Sequence, residues 1–153
     1  MKAAPFPILD NATPWVAAQI AEYVATDGAK PTFRFDAPLL LITTLGRKSE
    51  QWRRTCLIYG TDEDRYLIVA SLGGAPQHPV WYLNLKDNPR VWLQVGAEAF
   101  WAVARDASDT EMPELWHLMV GIFPDYADYK VKTDRRIPIV VLEREEPKQP
   151  DLA

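Results

Sequence analysis

A single cysteine, Cys56, in 153 residues excludes an internal disulfide framework, and two histidines far from it leave too few ligands for a zinc site. Positive charge is also in short supply. Seventeen basic against twenty-one acidic side chains give a formal charge of −4, the wrong sign for a general nucleic-acid binder. No apolar run approaches bilayer length, the longest purely aliphatic stretch being Leu39 to Ile42. Residues 1–12 lack the apolar core of a signal peptide, so a cytoplasmic location is expected, with peripheral membrane contact through the first helix left open. A G-x-G-x-x-G turn, a P-loop lysine and an H-E-x-x-H pair are all missing, which removes the commonest nucleotide and metalloprotease signatures. What remains is 48% hydrophobic and 25% charged, the make-up of one globular domain. A domain of this length buries roughly 68–70% of the surface its unfolded chain exposes.

Thr13 before Pro14 reads as a helix start, and Trp15, Val16, Ile20, Tyr23 and Val24 recur at helical spacing until Gly28. Three strands follow at 39–45, 52–59 and 65–71, joined by polar turns at 46–51 and 60–64. A short helix is predicted from Val80 to Lys86, then strands at 91–95 and 98–105 joined by Gly96-Ala97. Ser108 and Glu111 have capping-box spacing, but Pro113 makes Thr110 the better expected cap of a second long helix. Leu115, Trp116, Met119, Val120 and Phe123 form its apolar face, and 137–142 is the last strand. The pattern predicts an α+β fold, a six-stranded, mainly antiparallel small β-barrel with flanking helices. Its expected boundaries are an N-terminal extension at 1–12, one domain at 13–144 and a polar tail at 145–153.

Three patches could carry chemistry. Arg47, Lys48, Arg53 and Arg54 put four cations within eight residues of an acidic chain, on a hairpin where guanidinium forks could meet an anion; a solvated turn is the plain alternative. Ser71-Leu72-Gly73-Gly74-Ala75 is small enough for a flat ring or phosphate to approach the backbone, or is an ordinary loop. Phe123, Tyr126 and Tyr129 are spaced by three and share a face if helical, whereas Pro124 could break the helix and leave the tyrosines in a loop or lid. His78 and His117 read as loop or surface histidines, and Cys56 as an inert core thiol.

Taken together, these patches resemble the deazaflavin-dependent nitroreductase family. The resemblance rests on Thr43-Thr44-Leu45-Gly46-Arg47-Lys48-Ser49 with Arg53, on the run from Val69 to Pro79, on Trp81-Tyr82-Leu83-Asn84-Leu85 and on Asn88-Pro89. Tyr126-Ala127-Asp128-Tyr129, Lys132-Thr133-Asp134-Arg135 and 137–142 complete it. It implies a split β-barrel related to flavin-binding reductases and coenzyme F-420 as hydride donor. The expected activity is an oxidoreductase acting on small electrophiles such as nitroaromatics, quinones or enones. By the same resemblance, Arg47, Lys48, Arg53 and Thr55 would hold the cofactor's phosphate and acidic tail. Ser71, Gly73, Gly74, Ala75 and Trp81 would surround its ring. Tyr126 and Ser71 would be catalytic, with Tyr126, Tyr129, Phe123 and Tyr23 at the substrate and no metal. A monomer or homodimer of actinobacterial origin is implied. The family usually has glycine where Glu50 stands, proline at Cys56 and lysine at Leu72. Two alternatives stay open: a binding protein for deazaflavin, fatty acid or haem without turnover, and an FMN-dependent reductase on the same fold.

Overall fold

The computed structural model describes residues 3–31 and 33–146. Of the expected polar tail, 147–153 lie outside the described residues. The described residues form an α+β fold of eight strands and four helices. In chain order these are β1 (Ile8–Asp10), α1 (Pro14–Ala25), β2 (Leu39–Leu45), β3 (Trp52–Ile58), β4 (Gly60–Asp62) and β5 (Arg65–Val69). Then come α2 (Val80–Asp87), β6 (Arg90–Val95), β7 (Glu98–Asp106), α3 (Met112–Ile122), α4 (Asp125–Lys132) and β8 (Ile139–Arg144). One sheet holds all the strands in the order β1-β3-β2-β6-β7-β8-β5-β4. β1 pairs with β3 in parallel, and every other neighbouring pair is antiparallel.

The count is eight strands rather than the six expected. β4 occupies the start of the predicted 60–64 turn, where Asp62 pairs with Arg65 across a tight reversal with Glu63 at φ 56°. β1 falls within the supposed N-terminal extension, and its three residues lie beside Trp52, Arg53 and Arg54.

Period-two alternation sorts the strands between two layers. Leu40 and Ile42 of β2, Ile68 of β5, Leu93 of β6 and Val140 and Leu142 of β8 share one interior cluster, so the sheet curls around a common core. Leu67 and Val69 of β5 and Ile139 and Val141 of β8 face the other way, under Leu115 and Met119 of α3 and Tyr126 of α4. Val16, Ile20 and Tyr23 of α1 bury against Leu41 of β2. Fully burying an aliphatic side chain of this kind contributes about 1.5–3 kcal/mol relative to leaving it exposed. Trp15 departs from the expected stripe and stays 62% exposed.

Helix termini follow the sequence in part: Thr13 stands at the N-cap of α1 before Pro14, but its hydroxyl makes no cap bond. Ser108 N–H donates to Glu111 Oε1 at 2.9 Å and Glu111 N–H to Ser108 Oγ at 3.2 Å, so the reciprocal box forms in the turn before α3 and Thr110 is not its cap. Pro124 stops α3 and caps α4, so both readings of the 123–129 segment hold in part: the helix breaks, and Tyr126 and Tyr129 ride on a new one.

Phe6 stacks on Trp52 with centroids 4.4 Å apart, and Trp52 and Trp92 each meet Trp101 edge-on at 5.5 and 5.2 Å. Among the described residues, no helix is long and apolar enough to cross a membrane.

Candidate functional site

A cavity of about 530 Å³ lies between β3, the end of β5, the N-termini of α1 and α2, and α4. That volume is in the range of small-molecule sites. The expected residues Arg53, Thr55, Ser71, Gly73, Trp81, Phe123, Tyr126 and Tyr129 line it.

Its anion-binding end is set by β3. Arg53 uses Nε on Ser49 Oγ at 3.3 Å, and its two Nη groups meet no partner among the described residues. Arg54 is neutralised by Asp10, with Nε–Oδ1 at 2.6 Å and Nη2–Oδ2 at 3.1 Å. Thr55 Oγ1 accepts from Asn11 Nδ2 at 3.3 Å. Arg47 and Lys48 are exposed on the β2–β3 turn and do not line the cavity. Glu50 on that turn has φ 57°, a left-handed conformation that glycine adopts without strain, which gives a physical reason for the glycine usual there.

The Ser71–Ala75 loop forms a second wall. Ser71 is buried, yet its hydroxyl bonds to none of the described residues. Gly73 has nothing within 4 Å of where a Cβ would stand, so it adds open space beside the loop. Gly74 and Ala75 lie behind that wall rather than on it. A Cβ on Gly74 would come within 2.8 Å of the Tyr129 carbonyl oxygen, so glycine lets the loop press on α4. Leu72, 47% exposed, lines the cavity with φ 43°.

Aromatic rings close the remaining side. Phe123 meets Tyr126 edge-on at 5.0 Å, and Tyr126 meets Tyr129 at 6.2 Å. The Tyr126 hydroxyl bonds to none of the described residues, and burial, then the neighbouring Tyr129, pushes its pKa above the ordinary tyrosine value. Burial likewise pushes the Cys56 thiol up to about 12, so it stays neutral.

Tyr23, expected at the substrate, is placed elsewhere. Its hydroxyl accepts from Gly96 N–H at 2.8 Å and donates to the Leu39 carbonyl at 3.0 Å, tying α1 to β2 and the β6–β7 hairpin. It is 1% exposed and absent from the cavity wall.

Two positioning residues escaped sequence reasoning. Asn84 of α2 accepts from Arg47 N–H at 3.1 Å and donates to Thr44 Oγ1 at 3.2 Å, fixing the basic turn against the cavity wall. Arg135 donates to the carbonyls of Ala70, Ser71 and Ala75 at 3.1, 2.7 and 2.8 Å and so holds the loop's backbone. Its Nη1 also meets His78 Nδ1 at 3.1 Å. Because arginine only donates, the His78 ring is neutral there with its proton on Nε2.

Burial, then the Arg135 charge, lowers the His78 pKa below 6.5, against a smaller opposing pull from Asp106. The folded state therefore binds this proton less readily than the unfolded chain. Its stabilising contribution is complete above the unfolded value and is lost as pH falls from about 6.5 through the lower folded value. Wild-type protein is expected to lose more stability between pH 7.5 and pH 5.5 than His78→Gln, measured by urea unfolding. Equal losses would remove His78 from the loop's support.

The sequence profile that matches the chain is described as F420H(2)-dependent quinone reductase and covers residues 15–144. An F420H(2)-dependent quinone reductase of Mycobacterium tuberculosis strain H37Rv is 44% identical over 110 residues, 70% of this chain and 74% of that one. A solved F420-H2 dependent reductase, FDR-A, is 38% identical with a TM-score of 0.64, covering 75% of this chain and all of that one. A further solved structure, described as a domain-swapped dimer, is 36% identical with a TM-score of 0.67 and covers 87% of this chain and 100% of that one.

Proposed function

The chain belongs to the F420H(2)-dependent quinone reductase family, and from that membership we propose that its 530 Å³ cavity holds the deazaflavin cofactor together with a quinone acceptor. The activity is an F-420-dependent oxidoreductase reaction on quinones. We extend the acceptor class to nitroaromatics and enones, which share an oxygen that gains negative charge on reduction. The observation that carries the site assignment is one wall set. It combines Arg53, whose two Nη groups have no partner among the described residues, with the hydroxyls of Ser71 and Tyr126, which have none among them either.

The residues fit such a cofactor. Arg53 supplies a charged fork for phosphate or carboxylate, with Arg47 and Lys48 on the adjoining turn to meet an extended acidic tail. Gly73 and the carbonyl-anchored Ser71 loop give a small-residue face for a flat ring, and Trp81 forms a side wall. The bound cofactor supplies a hydride in its reduced form. Tyr126 holds a proton at its hydroxyl and donates a hydrogen bond to the acceptor oxygen as charge grows there. Phe123, Tyr129 and Trp81 exclude water around that oxygen. We read the curled sheet, left open between β3 and β5, as a split β-barrel. A homodimer is the assembly we propose, by likeness to the domain-swapped relative.

Absorbance titration with F-420 and with FMN, followed by oxidation of reduced F-420 with menadione, tests this reading. Tight F-420 binding and menadione-dependent oxidation are expected. F-420 binding without oxidation by any acceptor would favour a carrier. Arg53→Ala is expected to weaken F-420 by about 10–100-fold, and the wild-type affinity to fall as salt rises. Unchanged affinity in the folded triple variant Arg47→Ala, Lys48→Ala, Arg53→Ala would end the assignment of this basic patch.

A further inference from the structure

β3 lines the cavity with six consecutive residues, Arg53, Arg54, Thr55, Cys56, Leu57 and Ile58. Side chains on a strand alternate between its faces, so a cavity meets both sets only by running along the strand's edge. The register decides which backbone groups lie there. Tyr59 N–H donates to the Pro38 carbonyl at 3.1 Å in continuation of the β2–β3 ladder, so odd-numbered residues turn their peptide groups toward β2. Asn11 N–H reaches the Arg54 carbonyl from the opposite side at 2.9 Å, so even-numbered residues turn theirs outward. β1 covers that outer edge only as far as Arg54, after which the chain leaves for α1. β5 across the cavity is not paired with β3. The Cys56 N–H and C=O therefore face the cavity, with no backbone partner among the described residues.

We propose that the Cys56 backbone N–H and C=O bind the imide edge of the deazaflavin ring, an inference that rests on the cofactor reading above. One outward residue on a strand edge offers a donor beside an acceptor. Its complement is a planar ring carrying an acceptor beside a donor, as a lactam or imide does. A quinone carries acceptors only and would leave the Cys56 carbonyl unmet, at a desolvation cost. Leu39, Leu57 and Ile58 around the pair keep the local dielectric low and strengthen the bonds. The thiol is not the binding group, since the Cys56 side chain packs against the cluster under α1. Proline, usual at this position by the resemblance noted above, has no N–H, so the donor is a property of this chain. The same geometry makes proline tolerable, because the N–H on this edge belongs to no ladder.

The experiment follows the Cys56 amide in ¹⁵N-labelled protein as oxidised F-420 and, separately, menadione are added, alongside fluorescence titrations of Cys56→Pro and Cys56→Ala. The Cys56 amide is expected to shift and to exchange more slowly on F-420 saturation. Cys56→Pro should bind F-420 about 3–10-fold more weakly, and Cys56→Ala within about 2-fold of wild type. Equal affinities for the two variants, or an unmoved Cys56 amide at F-420 saturation, would overturn the assignment while leaving the cofactor reading intact. So would a shift produced by menadione and not by F-420. Wild-type protein that binds no F-420 overturns both. If Cys56→Pro fails to fold, the amide measurement on wild type decides alone.

Discussion

Tyr126→Phe is expected to slow oxidation of reduced F-420 by menadione about 100-fold while leaving F-420 affinity within a few-fold. The substitution keeps the ring that packs edge-on against Phe123 and lies 6.5 Å from Trp116, and removes only the donor. Because the hydroxyl has no partner among the described residues, its loss strands no buried group, and thermal stability should hold or rise slightly. Burial keeps the phenol protonated throughout the working pH range, so in the proposed donor role it is expected to add no break to the pH–rate profile. A tyrosine with a purely packing role predicts wild-type rates in this variant. That result, obtained with both menadione and a nitroaromatic acceptor, would remove Tyr126 from the chemistry.

Arg135→Ala is expected to cost about 2–4 kcal/mol of stability and at least about ten-fold in F-420 affinity. One guanidinium serves three loop carbonyls, and charge-assisted bonds of this kind are individually worth about 1.5–3 kcal/mol, though not additively. With the fork gone, the Ser71 hydroxyl loses its fixed place on the cavity wall. Arg135→Lys should recover only part of either quantity, since a single ammonium cannot span the three carbonyls. Hydrogen exchange at 71–75 gives the check: faster exchange confined to this loop supports a positioning role. Full recovery by lysine would mean that charge alone matters there.

What the sequence made legible, and what it hid, separates by physical cause. β-branched and aliphatic content, polar turns and the Gly96-Ala97 hairpin announced the central strands, because burial and turn chemistry are written locally. β1 and β4 were not visible: three residues carry too little periodicity, and Gly60 to Asp64 has turn composition although its first three residues pair with β5. Within the site, Arg53, Ser71 and Tyr126 could be picked out as chemical types in suggestive company. Arg135 and Asn84 could not, since Arg135 serves carbonyls 60 and more residues away and Asn84 serves a backbone N–H 37 residues away and a threonine hydroxyl 40 residues away, and such contacts leave no spacing rule. Tyr23 shows the opposite failure. A phenol on an apolar stripe looked available for substrate, whereas its hydroxyl is consumed by three elements of the scaffold.

The indole cluster on β3, β6 and β7 gives the molecule a built-in optical gauge. Trp52, Trp92 and Trp101 come from three strands, and their rings meet at 5.2–5.5 Å only when those strands are in register. Indoles this close couple their electronic transitions, so a paired positive and negative circular-dichroism signal reports strand registry without any added label. Phe6 lies on the same cluster, which makes the intensity of that signal sensitive to whether the segment leading into β1 is seated.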